Sequence, residues 1–246
     1  MNLYVITGTT RGLGQALAME LGRDPDNHVV EISRGVSCKS GSNTFIYADL
    51  ADLASIQTAF DALAGVVHGR TFTRAVLINN AGVVLPVARF DALSAIALQD
   101  NMTINVVAPI LAAGVFAKLT RTSAASRMVV NISSGAAKRA VRGWTAYCTA
   151  KAGLEMATRV IAEEAQLSDP GMVVCSLAPG VVDTAMQATI RSVTLDEFPE
   201  RERFREMKES GALRDAGAVA RDIISLLHTE RLANGGNYDI RELLNA

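Results

Sequence analysis

The chain has 246 residues, 49% hydrophobic and 20% charged, enough apolar material for a large buried core, which excludes a disordered chain. Its 24 basic and 25 acidic residues leave a net charge of −1, and with no basic stripe no nucleic-acid partner is expected. Cys38, Cys148 and Cys175 form no CxxC pair, and His28, His68 and His228 stand alone, so neither a disulfide framework nor a metal site is expected and a reducing, cytoplasmic setting suits the chain.

The start, Met1-Asn2-Leu3-Tyr4-Val5-Ile6, has no basic segment ahead of an apolar run, so no targeting leader is expected. Leu3–Ile6 reads as a first strand, and Gly14–Gly22 as a helix with Leu13, Leu17 and Leu21 on one face. Val29–Ile32 and Thr44–Tyr47 read as strands two and three. Asp52 is a good N-cap for a helix carrying Leu53, Ile56, Phe60 and Leu63. Ala75–Ile78 is a fourth strand, followed by a long helix over about Leu98–Leu119. Within that helix the most apolar stretch, Ile104–Ala117, holds Asn105 and Pro109 and is too short to cross a bilayer, so no membrane partner is expected. Met128–Ile132 is a strand, Thr145–Glu164 a helix, and Met172–Leu177 a sixth strand. Leu195–Lys208, dense in charge with Phe198 and Phe204 as apolar anchors, reads as a helical excursion over the sheet. Ala216–His228 is a regular helix and Gly236–Ile240 a short last strand.

Alternating strands and helices of these lengths predict right-handed βαβ units and a parallel sheet covered on both faces. The expectation is one α/β domain over 1–246, a doubly wound Rossmann-type sheet of about seven strands. Ligands of such sheets bind at the carboxyl ends of the strands, where strand order reverses. There the first strand runs into Thr7-Gly8-Thr9-Thr10-Arg11-Gly12-Leu13-Gly14 and then a helix. Gly8 permits a tight turn, Gly12 lets backbone approach a pyrophosphate, and Gly14 lets the helix pack on the sheet, with the helix N-terminus facing the anion.

The TGxxxGxG spacing of this turn resembles the short-chain dehydrogenase/reductase family. Four further segments extend the resemblance in order: Asn79-Asn80-Ala81-Gly82 is similar to the family's NNAG motif, Asn105 to its helix asparagine, Ser134, Tyr147 and Lys151 to its S-x12-Y-x3-K pattern, and Pro179-Gly180-Val181-Val182-Asp183-Thr184 to its PGxVxT segment. The resemblance implies a nicotinamide cofactor held by Gly8, Thr10, Arg11, Gly12, Leu13, Gly14, Asn80, Ala81, Gly82, Tyr147, Lys151, Pro179, Gly180, Val182 and Thr184. It implies a sheet ordered 3-2-1-4-5-6-7 and an assembly of two or four copies. It also implies a catalytic set of Asn105, Ser134, Tyr147 and Lys151.

Tyr147 and Lys151, four residues apart, share one helix face. An ammonium beside a phenol favours the phenolate, which would bring a group of ordinary pKa about 10 toward working pH. Ser134 would steady a substrate oxygen, and the resemblance gives Asn105 a water linking Lys151 to solvent. Cys148, beside the tyrosine, reads as a small buried residue rather than a reactive thiol.

Strand two ends Glu31-Ile32-Ser33-Arg34. An acidic residue at the strand end would select NAD and an arginine NADP. Ser33 stands at that position with Arg34 after it and Arg11 nearby, which favours NADP(H) over NAD(H); Glu31 keeps NAD open if the strand ends early. Asp49 and Leu50 are expected along the adenine, with Asp49 as a helix-start residue the alternative.

Around the substrate end, Ser133–Lys138, Gly143–Cys148, Asp183–Gln187 and Tyr238–Leu243 resemble the benzil reductase and sepiapterin reductase branch of the family. That resemblance implies NADPH-dependent reduction of a small-molecule ketone or 1,2-diketone to an alcohol. Trp144 is open to two roles, pocket wall or core anchor. Met186 and Met207 are candidate pocket residues, Asp239 matches a substrate-anchoring aspartate or else ties down the last strand, and about 184–212 would be a lid. The alternatives are a family reductase for 3-oxoacyl, sugar or steroid substrates, and a non-catalytic NADP(H)-sensing regulator.

Overall fold

The computed structural model describes residues 1–35 and 43–245; Cys38 lies outside them. Seven strands form one parallel sheet in the order β3-β2-β1-β4-β5-β6-β7: β1 (Asn2–Thr7), β2 (Asn27–Ser33), β3 (Thr44–Tyr47), β4 (Phe72–Asn79), β5 (Ala124–Ile132), β6 (Met172–Ala178) and β7 (Asn237–Asp239). Strand order reverses between β1 and β4, as the family resemblance implies. Side chains alternate across the pleat. Leu3, Val5, Ala75, Leu77 and Val129 join one core with α2 (Leu53–Val67) and α4 (Ala108–Thr120). Tyr4, Ile6, Val76, Ile78 and Val130 join the other with α1 (Gly12–Leu21) and α8 (Ala216–Leu227). Both faces being covered, the strands read as continuous apolar runs.

The predicted helix over Leu98–Leu119 is a compound element. It begins as α3 (Ala95–Met102), widens into a π turn at Thr103–Val107 and continues as α4, with the Ala108 N–H reaching the Thr103 carbonyl five residues back. Pro109 has no N–H to give and its ring would crowd the carbonyl four residues earlier, which the wider turn accommodates. The compound helix is longer than the apolar stretch read from the sequence. The unbroken run Ala95–Thr120 is long and apolar enough to cross a membrane by length and composition alone. Its apolar character has a use within the fold, since Ala108, Ala112, Ala113 and Phe116 pack on the sheet.

Other boundaries differ as well. The excursion predicted over Leu195–Lys208 holds one helix, α7 (Arg201–Glu209), and a second, α6 (Ala185–Ser192), precedes that stretch. Between them Thr194 and Glu197 cap each other, with the Thr194 hydroxyl and N–H donating to Glu197 Oε2 at 2.8 and 2.9 Å. The last strand is only Asn237–Asp239, because Ile240 opens a terminal helix, α9 (Ile240–Asn245). Helix α5 (Thr145–Ser168) buries Tyr147, Lys151, Leu154, Glu155, Thr158, Ala162 and Ala165 along a single stripe.

Candidate active site

The carboxyl ends of the strands open onto a cleft of about 660 Å³, the size of a small-molecule site. Its floor is the β1–α1 turn. Gly8 holds φ at +74°, and a Cβ there would stand 2.7 Å from the Ala81 Cα; at Gly14 it would meet the Gly8 carbonyl oxygen at 2.3 Å and Asn80 Nδ2 at 2.4 Å. Both contacts are with material that cannot yield. Asn80 locks the arrangement, its Nδ2 donating to the carbonyls of Thr7 and Gly8 at 3.0 and 3.2 Å, while Thr7 Oγ1 accepts from the N–H groups of Asn80 and Ala81, each at 3.1 Å. The NNAG segment is thus packed onto the glycine turn, with Ala81 and Gly82 on the cleft wall. No side chain caps α1 and no acid lies in its first turn, so its leading N–H groups are not consumed by capping. A glycine-lined cradle, a bare helix N-terminus and a cleft of this size fit a nicotinamide dinucleotide.

The cleft is lined by Gly8, Thr10, Arg11, Gly12, Leu13 and Gly14 from the turn, Ser33, Arg34, Asp49 and Leu50 beyond β2 and β3, and Pro179, Gly180, Val182 and Thr184 beyond β6. Thr9 Oγ1 donates to Ser33 Oγ at 3.2 Å, which donates to the Gly35 carbonyl at 2.7 Å. Arg11 and Arg34 are exposed on the cleft wall, with no carboxylate paired to either among the described residues. Glu31, the residue that kept NAD open, is buried inside β2, accepts from Asn43 Nδ2 at 3.0 Å and does not line the cleft. Asp49 faces the cleft, and its Oδ1 accepts the Ala51 N–H at 3.1 Å in a turn leading to α2.

Ser134, Tyr147 and Lys151 line the same cleft. Ser134 follows β5 and caps a 3₁₀ turn, its Oγ accepting from the Ala136 N–H at 3.2 Å. Tyr147 is buried, which raises its phenol above the ordinary value; a hydrogen bond with Ser134 opposes that rise. Lys151 donates to the Ile132 carbonyl at 2.8 Å, and burial brings it down to about 8. Its Nζ lies 5.9 Å from the centre of the Tyr147 ring. The expectation that Lys151 makes the phenol more acidic is therefore corrected for the protein alone. Desolvation dominates at both groups, and the ammonium sits near the ring rather than being spent on the hydroxyl.

Asn105 lies beneath the cleft wall. It is fully buried, and its amide brackets Val83, accepting from that residue's N–H at 3.2 Å and donating to its carbonyl at 2.9 Å. A Cβ on Gly82 would lie 3.0 Å from Asn105 Oδ1 and 3.5 Å from Lys151 Nζ. Asn105 thus shapes the loop in front of Lys151, and the π turn aims it there.

Trp144 unites its two expected roles. It lines the cleft, yet is only 5% exposed, stacks on Phe198 (centroids 4.9 Å, planes 14° apart) and meets Tyr147 edge-on at 5.4 Å. With Phe204, Val84, Val87 and Ile190 it builds a third apolar cluster joining the 184–212 segment to the tyrosine. Met186 and Met207 face the cleft from that segment. The segment's base is fastened where Asp183 N–H donates to the Arg214 carbonyl and Arg214 N–H to the Val181 carbonyl, at 2.9 and 3.0 Å. Cys148 is half-buried with its thiol pushed up, first by burial.

Asp239 does not line the cleft; Arg241 does. Asp239 Oδ1 accepts the Arg241 N–H at 2.9 Å, and its carboxylate is forked by the Arg241 guanidinium at 2.9 and 2.5 Å, which holds the carboxyl below its usual range. The two-residue offset at the start of α9 makes this local pairing available before any ligand is reached. Arg139 and Arg203, both on the cleft wall and sharing Glu200 at 3.3 Å, were also not singled out by sequence reasoning. No motif marks them, because 64 positions apart they meet only across the folded segment.

The short chain dehydrogenase family model matches residues 2–194. The chain is 39% identical over 246 residues to benzil reductase ((S)-benzoin forming) of Bacillus subtilis, covering 99% of this chain and 100% of that one. It is 30% identical to the sepiapterin reductase of Rattus norvegicus, covering 97% and 96%. A short chain dehydrogenase/reductase structure from Saccharomyces cerevisiae superposes with a TM-score of 0.82 over 98% of this chain and 96% of that one, at 24% identity, a likeness of fold. With sheet order, glycine cradle and the serine, tyrosine and lysine in one cleft already in place, this chain belongs to the short chain dehydrogenase family, as a nicotinamide-dependent oxidoreductase acting between alcohol and carbonyl.

Proposed function

We propose that the protein is an NADPH-dependent carbonyl reductase that converts a ketone or 1,2-diketone, benzil-like or sepiapterin-like, to an alcohol. The observation that carries this reading is the convergence of Ser134, Tyr147 and Lys151 on the cleft that the glycine turn floors. NADPH supplies, when bound, the hydride for the carbonyl carbon. Gly8, Thr10, Arg11, Gly12, Leu13 and Gly14 hold its pyrophosphate end, Ser33 and Arg34 its 2′-phosphate, and Asp49 and Leu50 its adenine. Asn80, Ala81, Gly82, Pro179, Gly180, Val182 and Thr184 hold the nicotinamide end. The absence of Glu31 from the cleft wall supports NADPH over NADH.

Tyr147 donates the proton to the substrate oxygen while Ser134 holds that oxygen. Lys151, brought to about 8 by burial, exchanges protons close to working pH and returns one to the tyrosine. Asn105 positions the Gly82–Val83 loop against Lys151. Trp144, Phe204, Met186 and Met207 form an apolar wall suited to an aromatic or pterin-like ketone. Residues 184–212 act as a lid on a single domain. The free thiols of Cys148 and Cys175 suit a cytoplasmic setting.

The test is a carbonyl panel followed by NADPH oxidation. Turnover of benzil or sepiapterin well above that of acetoacetyl thioesters, sugars and steroids is expected. A preference for one of those other substrates would replace the diketone reading, and tight NADPH binding with no turnover of any carbonyl would make the protein a sensor.

Val107 at the end of the π turn, Ile110 and Leu111 on α4, and Met156 and Val160 on α5 are exposed. They support a homodimer or homotetramer, with sedimentation velocity expected to give a multiple of the 26.1 kDa chain. A monomer at micromolar concentration would remove this part of the proposal.

A further inference from the structure

We propose that Glu155 is a positioning residue for the reaction: it supplies the negative charge behind Lys151 and anchors the strand end that presents Ser134. The proposal rests on the reductase reading above.

Tyr147, Lys151 and Glu155 recur every four residues on the buried stripe of α5. A carboxylate is seldom buried without partners, because desolvation disfavours its charge. Glu155 Oε1 accepts from Ser133 Oγ at 2.7 Å, and the Ser133 N–H donates to the Leu177 carbonyl at 2.9 Å. Ser133 is thereby held from α5 and from β6 at once. The next residue is Ser134, which hydrogen-bonds Tyr147. Glu155 therefore reaches the reacting groups by two routes, one through the Ser133–Ser134 backbone and one through space to Lys151.

What faces Lys151 from neighbouring elements is neutral. From β5 comes the Ile132 carbonyl, and from the π turn Asn105 across Gly82. Among the described residues no charge from α3 or β6, which also pack on α5, acts on Lys151. Cys148 faces Tyr147 from α5 as a neutral thiol. The charge acting on Lys151 is that of Glu155, which holds the amine up against the fall that burial causes.

The sign of its removal follows. Loss of a proton from Lys151 or from Tyr147 makes the site one charge more negative, and a fixed anion nearby opposes both losses. Without it both protons leave at lower pH. For carbonyl reduction, which needs the protonated tyrosine, the base limb of kcat/KM should move down by on the order of one pH unit in Glu155→Gln. For alcohol oxidation, which needs the deprotonated form, the acid limb should move down equally. Glutamine keeps an oxygen for Ser133, so the strand anchor survives. Glu155→Asp keeps the charge and should hold the wild-type midpoints, whatever it loses in rate.

The experiment records both pH profiles for wild type, Glu155→Gln, Glu155→Met and Glu155→Asp. The Lys151 midpoint is read independently by NMR of ¹³Cε-labelled lysine in the protein without cofactor. Expected is a downward shift in both charge-removing variants, in the profiles and in the NMR midpoint, with Asp like wild type. Unmoved midpoints in Gln and Met variants that fold and bind NADPH would overturn the proposal, and so would failure of both to fold while Asp folds, which would make Glu155 a structural residue. If Tyr147→Phe proves inactive while the Lys151 midpoint ignores Glu155, this inference fails and the reductase reading stands. If wild type turns over no carbonyl, the reductase reading itself fails; if Tyr147→Phe stays active, Tyr147 loses its role as proton donor.

Discussion

Replacing Tyr147 by phenylalanine is expected to lower kcat/KM for carbonyl reduction by about a thousandfold, with the Kd for NADPH changed by less than about threefold. A positioned general acid typically contributes about 10²–10⁴ in rate, and each tenfold is roughly 1.4 kcal/mol of barrier. The substitution removes one oxygen and leaves the ring in the Trp144–Phe198 cluster, where its edge-on contact at 5.4 Å does not involve the hydroxyl. Ser134 Oγ keeps the Ala136 N–H, and its half-buried hydroxyl can turn to solvent in the cleft, so the fold should lose less than about 1 kcal/mol. Steady-state kinetics with benzil, NADPH fluorescence titration and a thermal melt make the three comparisons. Retention of most of the activity would remove Tyr147 from the role of proton donor. An equal collapse of NADPH binding would mean that the variant damages the cleft instead.

Arg34→Ala is expected to weaken NADPH binding by tenfold to a hundredfold while leaving NADH within about twofold. A phosphate dianion beside a guanidinium gains a charge-assisted, often bidentate, hydrogen bond that a ribose hydroxyl cannot form to the same extent. Arg34 is exposed, so part of this energy is screened by solvent and salt, which is why the lower end of the range is as acceptable as the upper. Arg11→Ala should act in the same direction, and the double variant should approach equal affinity for both cofactors. Raising ionic strength should erode the wild-type preference for NADPH. Parallel losses for both cofactors in Arg34→Ala would point back to an NAD-type site with Glu31 as its acid.

Much of the site could be read from the chain because its logic is local. A turn that must adopt positive φ at Gly8 and admit backbone at Gly14 writes itself as glycines at fixed offsets. Tyr147 and Lys151 are neighbours because a helix repeats every 3.6 residues. Of the two roles open to Asp239 the local one is filled, for an equally local reason, since Arg241 two residues on takes its carboxylate first. What escaped sequence reading depends on distant segments. Arg139 and Arg203 share Glu200 only because α7 folds over the 3₁₀ turn. Glu155 carried no signal, since a glutamate in a long helix reads as surface until Ser133 is found 2.7 Å away.

Composition and periodicity by themselves determined the layered α/β plan, the glycine cradle and the face shared by tyrosine and lysine, because each follows from steric or repeat constraints within a few residues. Tertiary structure alone decided that burial, more than the neighbouring ammonium, governs Tyr147, that Asn105 is spent on Val83, and that Arg241 rather than Asp239 meets the cleft. Those outcomes depend on how much water is excluded and which partner arrives first, quantities that exist only once strands far apart in sequence have come together.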